Sequence, residues 1–326
     1  MGLSIKEPSN ELLRMKVWIT GGTGFVGSNI VHRAIEQGDE VMTTVHTFQP
    51  PPAALYATDA VDMTDENAVF TSIDRFGPDL VVHCAILNDF GGLYRDRTAA
   101  WNAYVTSTAI TAHAAAEMGA AYVLISTDWV FDGTQGGADE ATPPNPVNFY
   151  GVLKMASELV ALGRGAAVAR ISGVNGLHRA RPSSPRRQDP GFGYFVLSLV
   201  DALRDGRAFT VWEADNINMI ATPSLASDSA DQILEIGRRR LSGIFHCCGG
   251  DAVGRMELAH LACEVFDLDP GLLRSGPPDP EAMPGAPIPY DTSIVATRTS
   301  RLLGRKPAGV RDLLVRFRDE YEAAAG

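Results

Sequence analysis

The sequence predicts an α/β protein: a doubly wound parallel sheet with a smaller C-terminal lobe. Three observations lead there. Residues 16–28 read KVWITGGTGFVGS, an apolar run, a glycine-rich turn and the start of a helix. Short apolar runs then alternate with helical segments as far as residue 175. The run at 79–85, DLVVHCA, is apolar almost throughout, as a strand buried on both faces requires.

The opening unit is the most informative. Gly21 permits a tight turn, Gly24 lets backbone approach a pyrophosphate, and Gly27 lets the following helix (Asn29–Gln37) pack on its strand. The helix N-terminus offers free N–H groups and the positive end of a dipole. Next come strands at 40–45 and 60–63, a helix at 66–76 and helical periodicity over 96–118. A strand at 121–126, a proline-bearing loop at 133–148, a helix at 149–162 and a strand at 166–171 follow. The pattern then changes. Residues 176–192 are rich in Arg, Pro and Ser. Helices are expected at 195–204, 227–239, 256–266 and 309–324, with strands at 209–212 and 243–247. Residues 268–290 hold seven prolines and read as irregular. The expected organisation is a leader at 1–14, a dinucleotide-binding domain of 15–175 with 217–250, and a substrate-binding lobe of 176–216 with 251–326.

Composition narrows the classes. The 326 residues are 45% hydrophobic and 21% charged, ordinary for a globular protein. A net charge of −11 argues against nucleic acid as a partner. The four cysteines, Cys84, Cys247, Cys248 and Cys263, have no metal-type or redox spacing and read as reduced thiols. No run reaches the length of a membrane span, and 1–14 lacks the apolar stretch of a signal peptide, so a cytoplasmic protein with no membrane partner and no metal is expected. His113 and His260 read as helix packing residues, His83 and His246 as core. Asp128 reads as a structural partner at a strand end, and Asp132 as a turn cap.

Tyr150 and Lys154 stand four apart at the start of a helix, on one face. A phenol beside an ammonium is a proton donor whose pKa the positive charge should lower. Ser126-Thr127-Asp128 ends the preceding strand, where a hydroxyl would hold a carbonyl oxygen.

With these motifs in hand, the chain resembles the extended short-chain dehydrogenases/reductases, and is most similar to the dTDP-4-dehydrorhamnose reductase family. The matching stretches are KVWITGGTGFVGS, PDLVVHCA, WNAYVTSTAITAHAAAEMGA, LISTDWVFDGT, PPNPVNFYGVLKMASE and AVARISGVNG. The resemblance implies hydride transfer from a nicotinamide to the ketone of a nucleotide-linked 4-keto-6-deoxy sugar. It implies Tyr150 as proton donor, Lys154 on the nicotinamide ribose, Thr127 on the carbonyl oxygen and Asn102 as a supporting residue. Gly21, Thr23, Gly24, Phe25, Val26 and Gly27 would line the pyrophosphate. Asp62 and Met63 would lie beside the adenine, and Cys84, Ala85 and Ile86 under the ribose.

Three departures modify this. The second strand ends in Val45, His46 and Thr47, with no carboxylate to repel a 2′-phosphate; this favours NADP, with NAD as the alternative. Gly173 and Asn175 replace the bulky aromatics expected after the sixth strand, where the family approaches its substrate, so rhamnose-type specificity is open. Arg179, Arg181, Arg186 and Arg187 could grip a diphosphate or simply form a solvated loop. Trp129 stands where nucleotide-sugar dehydratases carry a glutamate, which disfavours dehydration and places Trp129 among substrate residues. An epimerase, a ketoreductase for a non-sugar metabolite and a non-catalytic regulatory subunit stay open as alternatives. A homodimer through the helices at 96–118 and 149–162 is a further expectation.

Overall fold

Alternate residues of a strand point to opposite faces of its sheet, and here that rule builds two cores. The computed structural model describes residues 14–46, 48, 50, 54–87, 89–183 and 187–325. Six strands come first: β1 Lys16–Thr20, β2 Glu40–Val45, β3 Ala57–Ala60, β4 Leu80–His83, β5 Ala121–Thr127 and β6 Ala167–Ile171. With Gly243–His246 they form one sheet, ordered Gly243–His246, β6, β5, β4, β1, β2, β3, parallel throughout. Val17 and Ile19 face one side, with Leu80, Val82, Val123 and Ile125, and meet Ile30, Ile233 and Ile236 from the helices Phe25–Glu36 and Ala226–Arg238. Trp18 faces the other side with Val81, Leu124 and Val168, against Val69 and Ile73 of the Glu66–Phe76 helix. Each fully buried aliphatic side chain contributes about 2 kcal/mol.

A third apolar cluster lies apart from the sheet. It joins Phe195, Leu199 and Val200 to Leu258, Ala262 and Phe317, from the helices Phe195–Arg204, Arg255–Phe266 and Val310–Ala325. Among the described residues no helix is long and apolar enough to cross a membrane.

Several local expectations are corrected. The first helix starts at Phe25, directly after Gly24, rather than at Asn29. The strand expected at 60–63 lies at Ala57–Ala60. Asp62 instead turns the chain: its carboxylate accepts the N–H and the hydroxyl of Thr64. The 96–118 segment is Arg97–Trp101, a π-helical turn at Asn102–Thr106, and Ser107–Glu117. Inside the proline-rich 268–290 stretch, Leu273–Gly276 pairs in parallel with Phe209–Trp212; no proline falls within the strand, Pro270 preceding it and Pro277 following it. A helix at Thr297–Leu303 carried no signal strong enough to be read.

Because the strands are parallel, their C-terminal ends share one edge. Strand order reverses between β1 and β4, which is where α/β sheets open a crevice for ligands.

Candidate active site

At the end of β1 the chain is held by backbone contacts that only small residues allow. Gly21 has φ +64°, and a Cβ there would come within 3.0 Å of the Ala85 Cα. The Gly24 N–H donates to the Gly21 carbonyl at 2.9 Å. A Cβ on Gly27 would lie 2.9 Å from the Gly22 Cα and still closer to the Gly21 carbonyl oxygen. Hydroxyls fix the turn to its neighbours. Thr20 Oγ1 accepts the N–H groups of Cys84 and Ala85, both at 2.9 Å, and Thr43 Oγ1 accepts that of Gly22 at 2.9 Å. No side chain caps the Phe25–Glu36 helix, so its first N–H groups are free for an anion. A cofactor pyrophosphate fits this cradle.

The Phe149–Leu162 helix brings Tyr150 and Lys154 to the end of β5. Asn148 caps it, accepting the Gly151 N–H at 2.9 Å. Gly151 sets the approach: a Cβ there would lie 2.7 Å from the Pro146 Cβ and closer still to the Trp129 carbonyl oxygen. Thr127 stands beside the Tyr150 phenol, near enough to act on its ionisation. Its hydroxyl also donates to Asp128 Oδ1 at 3.0 Å and accepts the Trp129 N–H at 3.2 Å. Asp128 Oδ2 accepts the hydroxyls of Ser172, at 2.8 Å, and Thr292. Three rings surround the phenol, each with its centroid 6.0 Å away: Tyr104 and Trp129 edge-on, Phe90 tilted.

Electrostatics here differ from the expectation that Lys154 lowers the phenol. Tyr150 is pushed up, by burial first; the Thr127 hydroxyl beside it works the other way, and Asp128 and Asp189 raise it further. Lys154 is itself lowered to about 8, chiefly by burial, with Cys84 and Glu158 opposing that shift. Its Nζ donates to the Ile125 carbonyl at 2.9 Å and sits 5.4 Å from the Tyr104 ring centroid. Burial pushes Asp128 up to about 6 against the three hydroxyls that hold it down. Burial also pushes the Cys84 thiol up to about 12.

The remaining sequence-derived residues divide. Thr23 is buried in the turn; Val26 and Phe25 are half-buried, and Phe25 packs at 4.4 Å between ring centroids on Tyr194. Cys84, Ala85 and exposed Ile86 follow β4 at the same edge. His46 is exposed at the end of β2 and helps keep the Asp62 carboxyl low, after the two Thr64 hydrogen bonds. Met63 packs on the Trp18 face of the sheet. Asn102 opens the π turn and accepts the Thr106 hydroxyl at 3.1 Å. Thr47 and Arg186 lie outside the described residues. Gly173, at φ +47°, and Asn175 are buried together. The Asn175 amide is used internally: it donates to the Gly173 carbonyl at 2.8 Å and accepts the Val196 N–H at 2.9 Å. That corrects its placement among substrate groups. Arg179 is ion-paired with Glu320 at 2.8 Å and Arg181 lies over the Phe48 ring, so neither is a ready phosphate clamp; Arg187 is exposed.

Sequence reasoning missed Phe90, Tyr104, Gly151 and Asp189. Gly151 was open to view in YGVLK, as the small residue a close helix approach needs. The others reach the phenol from segments whose pattern gives no hint of it.

A cradle for a dinucleotide and a Thr–Tyr–Lys set on one sheet edge define the class. This is an NAD(P)-dependent reductase of the extended short-chain type. Residues 15–322 match the RmlD substrate binding domain, and the chain belongs to that family. It is 30% identical over 265 residues to the probable low-salt glycan biosynthesis reductase Agl14 of Haloferax volcanii, covering 80% of this chain and 83% of that one. It is 26% identical over 294 residues to the methionine adenosyltransferase 2 subunit beta of Bos taurus, covering 88% and 82%. Among solved structures, the dTDP-4-dehydrorhamnose reductase of Bacillus anthracis in complex with NADP superposes with a TM-score of 0.75 at 21% identity, over 94% of this chain and all of that one, which establishes the shared fold.

Proposed function

We propose that the protein transfers a hydride from NADPH to the ketone of a nucleotide-linked 4-keto-6-deoxy sugar, with Tyr150 donating the proton. One observation carries this: Thr127 and Tyr150 stand side by side at the end of β5, near enough for Thr127 to act on the phenol, and Lys154 lies one helical turn further along. Bound NADPH supplies the hydride. Gly21, Thr23, Gly24, Phe25, Val26 and Gly27 would hold its pyrophosphate, with Asp62 and Met63 at the adenine. Cys84, Ala85 and Ile86 would lie under the ribose, and Lys154 would bond the nicotinamide ribose. The end of β2 has no acid to reject a 2′-phosphate, and His46 is exposed there. Thr127 would orient the carbonyl oxygen, Asn102 would support the set, and Trp129 would wall the sugar.

Similarity to a methionine adenosyltransferase beta subunit supports a second reading, a regulatory protein that binds a partner.

The test is a screen of dTDP-, UDP-, GDP- and CDP-linked 4-keto sugars while nicotinamide absorbance is followed. In Tyr150→Phe, ketone-dependent NADPH oxidation should fall by about 100-fold or more, with NADPH affinity within about threefold of wild type. Unchanged turnover rules out the phenol as the acid. No turnover on any sugar, with NADPH still bound, moves the protein to the regulatory reading.

A further inference from the structure

The 187–194 segment brings a second carboxylate near enough to act on the phenol. Asp189 begins a tight turn. Its Oδ1 accepts the N–H groups of Gly191, at 2.7 Å, and Gly193, at 2.8 Å. Two non-glycine residues of the segment, Phe192 at φ 68° and Tyr194 at φ 54°, sit in the left-handed region, a backbone cost that the surrounding contacts must offset. The turn lies flat on Trp129: a Cβ on Gly191 would come within 2.7 Å of the indole Cζ2. Trp129 in turn packs edge-on against Tyr150. Asp189 is therefore one ring away from the proposed acid.

Among the described residues Oδ2 accepts no hydrogen bond, and Asp189 as a whole is only half-buried. The cation near it does not neutralise it by contact. Arg255 is fully buried; its Nε and Nη2 donate to the carbonyls of Asn218, at 2.7 Å, and of Asp189 itself, at 3.0 Å, its guanidinium lies over Phe192, and its Nη1 has no hydrogen-bond partner among the described residues. Asp128, the other carboxylate acting on the phenol, is already bound by three hydroxyls. Two carboxylates thus act on Tyr150, and on one of them an oxygen accepts no hydrogen bond among the described residues.

We propose that Asp189 reads the sugar: its Oδ2 accepts a hydrogen bond from a hexose hydroxyl and repels a carboxylate at the same place, so the site takes neutral sugars and turns away uronic acids. This rests on the nucleotide-sugar reading above and adds the chemistry that selects within it.

The test is calorimetric binding to the NADPH-loaded protein. Glucose and glucuronic acid are compared, each as its UDP and its dTDP ester. In the wild type the glucose ester should bind about tenfold more tightly, since a like charge a few ångströms away costs about that much at a half-buried site. Asp189→Asn keeps an oxygen for the two glycine N–H groups, and the preference should shrink to about twofold or less. Equal binding of the two esters by the wild type overturns the proposal without any variant. So does an unchanged preference in Asp189→Asn when its NADPH affinity and melting temperature are normal. If no ester binds while NADPH does, the nucleotide-sugar reading itself falls and this inference with it.

Discussion

The two halves of the site are made of different materials. The cofactor side is backbone: glycines at 21, 24 and 27 and hydroxyls of Thr20 and Thr43 hold peptide groups against one another. The proposed substrate side is side chains: Phe90, Tyr104 and Trp129 stand around Tyr150, and the Asp189 turn lies against Trp129. A backbone site tolerates no added atom, whereas a side-chain site can be rebuilt residue by residue. The first binds a constant ligand, and the second is where specificity can drift.

That contrast can be broken at single atoms. The largest effect is expected at Gly27→Ala, whose new Cβ meets both the Gly21 carbonyl and the Gly22 Cα. Overpacking of this kind costs about 3 kcal/mol, so the melting temperature should drop and NADPH binding should be nearly lost. A normal NADPH titration in this variant would contradict a backbone-built cofactor side. Gly151→Ala comes next. Its Cβ collides with the Trp129 carbonyl and Pro146, displacing the helix that carries Tyr150. Turnover should fall by about 100-fold, as a misplacement of about 1 Å implies; NADPH affinity, read in parallel, should barely move. An equal loss of both would mean that the two sides are not separable.

The smallest effect concerns Asp128. Its folded pKa, about 6, lies above the ordinary 3.8, so the fold favours the protonated acid. Its contribution is fully present below pH 3.8 and is lost as pH rises through about 6. Between pH 5 and 7 the wild type should lose about 1 kcal/mol relative to Asp128→Asn. Denaturant unfolding of both proteins across that range reads this directly; parallel stability curves would remove the buried carboxyl from the account.

The same contrast explains what could be read in the sequence. Glycine spacing and the alternation of strands and helices are local, so β1, the turn and the parallel sheet were legible. Tyr150, Lys154 and Thr127 were legible because two short motifs carry them. The direction of the Tyr150 shift was not: it depends on burial by three rings brought together only by the fold. Asp189 was overlooked because the arginines around it dominated its segment. Asn175 stood where substrate was expected, but its amide closes a turn and holds the start of the Phe195–Arg204 helix. The pairing of Leu273–Gly276 with Phe209–Trp212 joins residues more than sixty positions apart, beyond any local pattern.

The Asp128 carboxylate also fastens the chain to its own far end. Thr292, late in the sequence, donates to it at the place where β5 finishes. A protease cut before that threonine would therefore be felt at the heart of the molecule, because the hydroxyl that steadies the acid comes from a segment 164 positions away along the chain. Chains cut before it should be inert even where the sheet has formed.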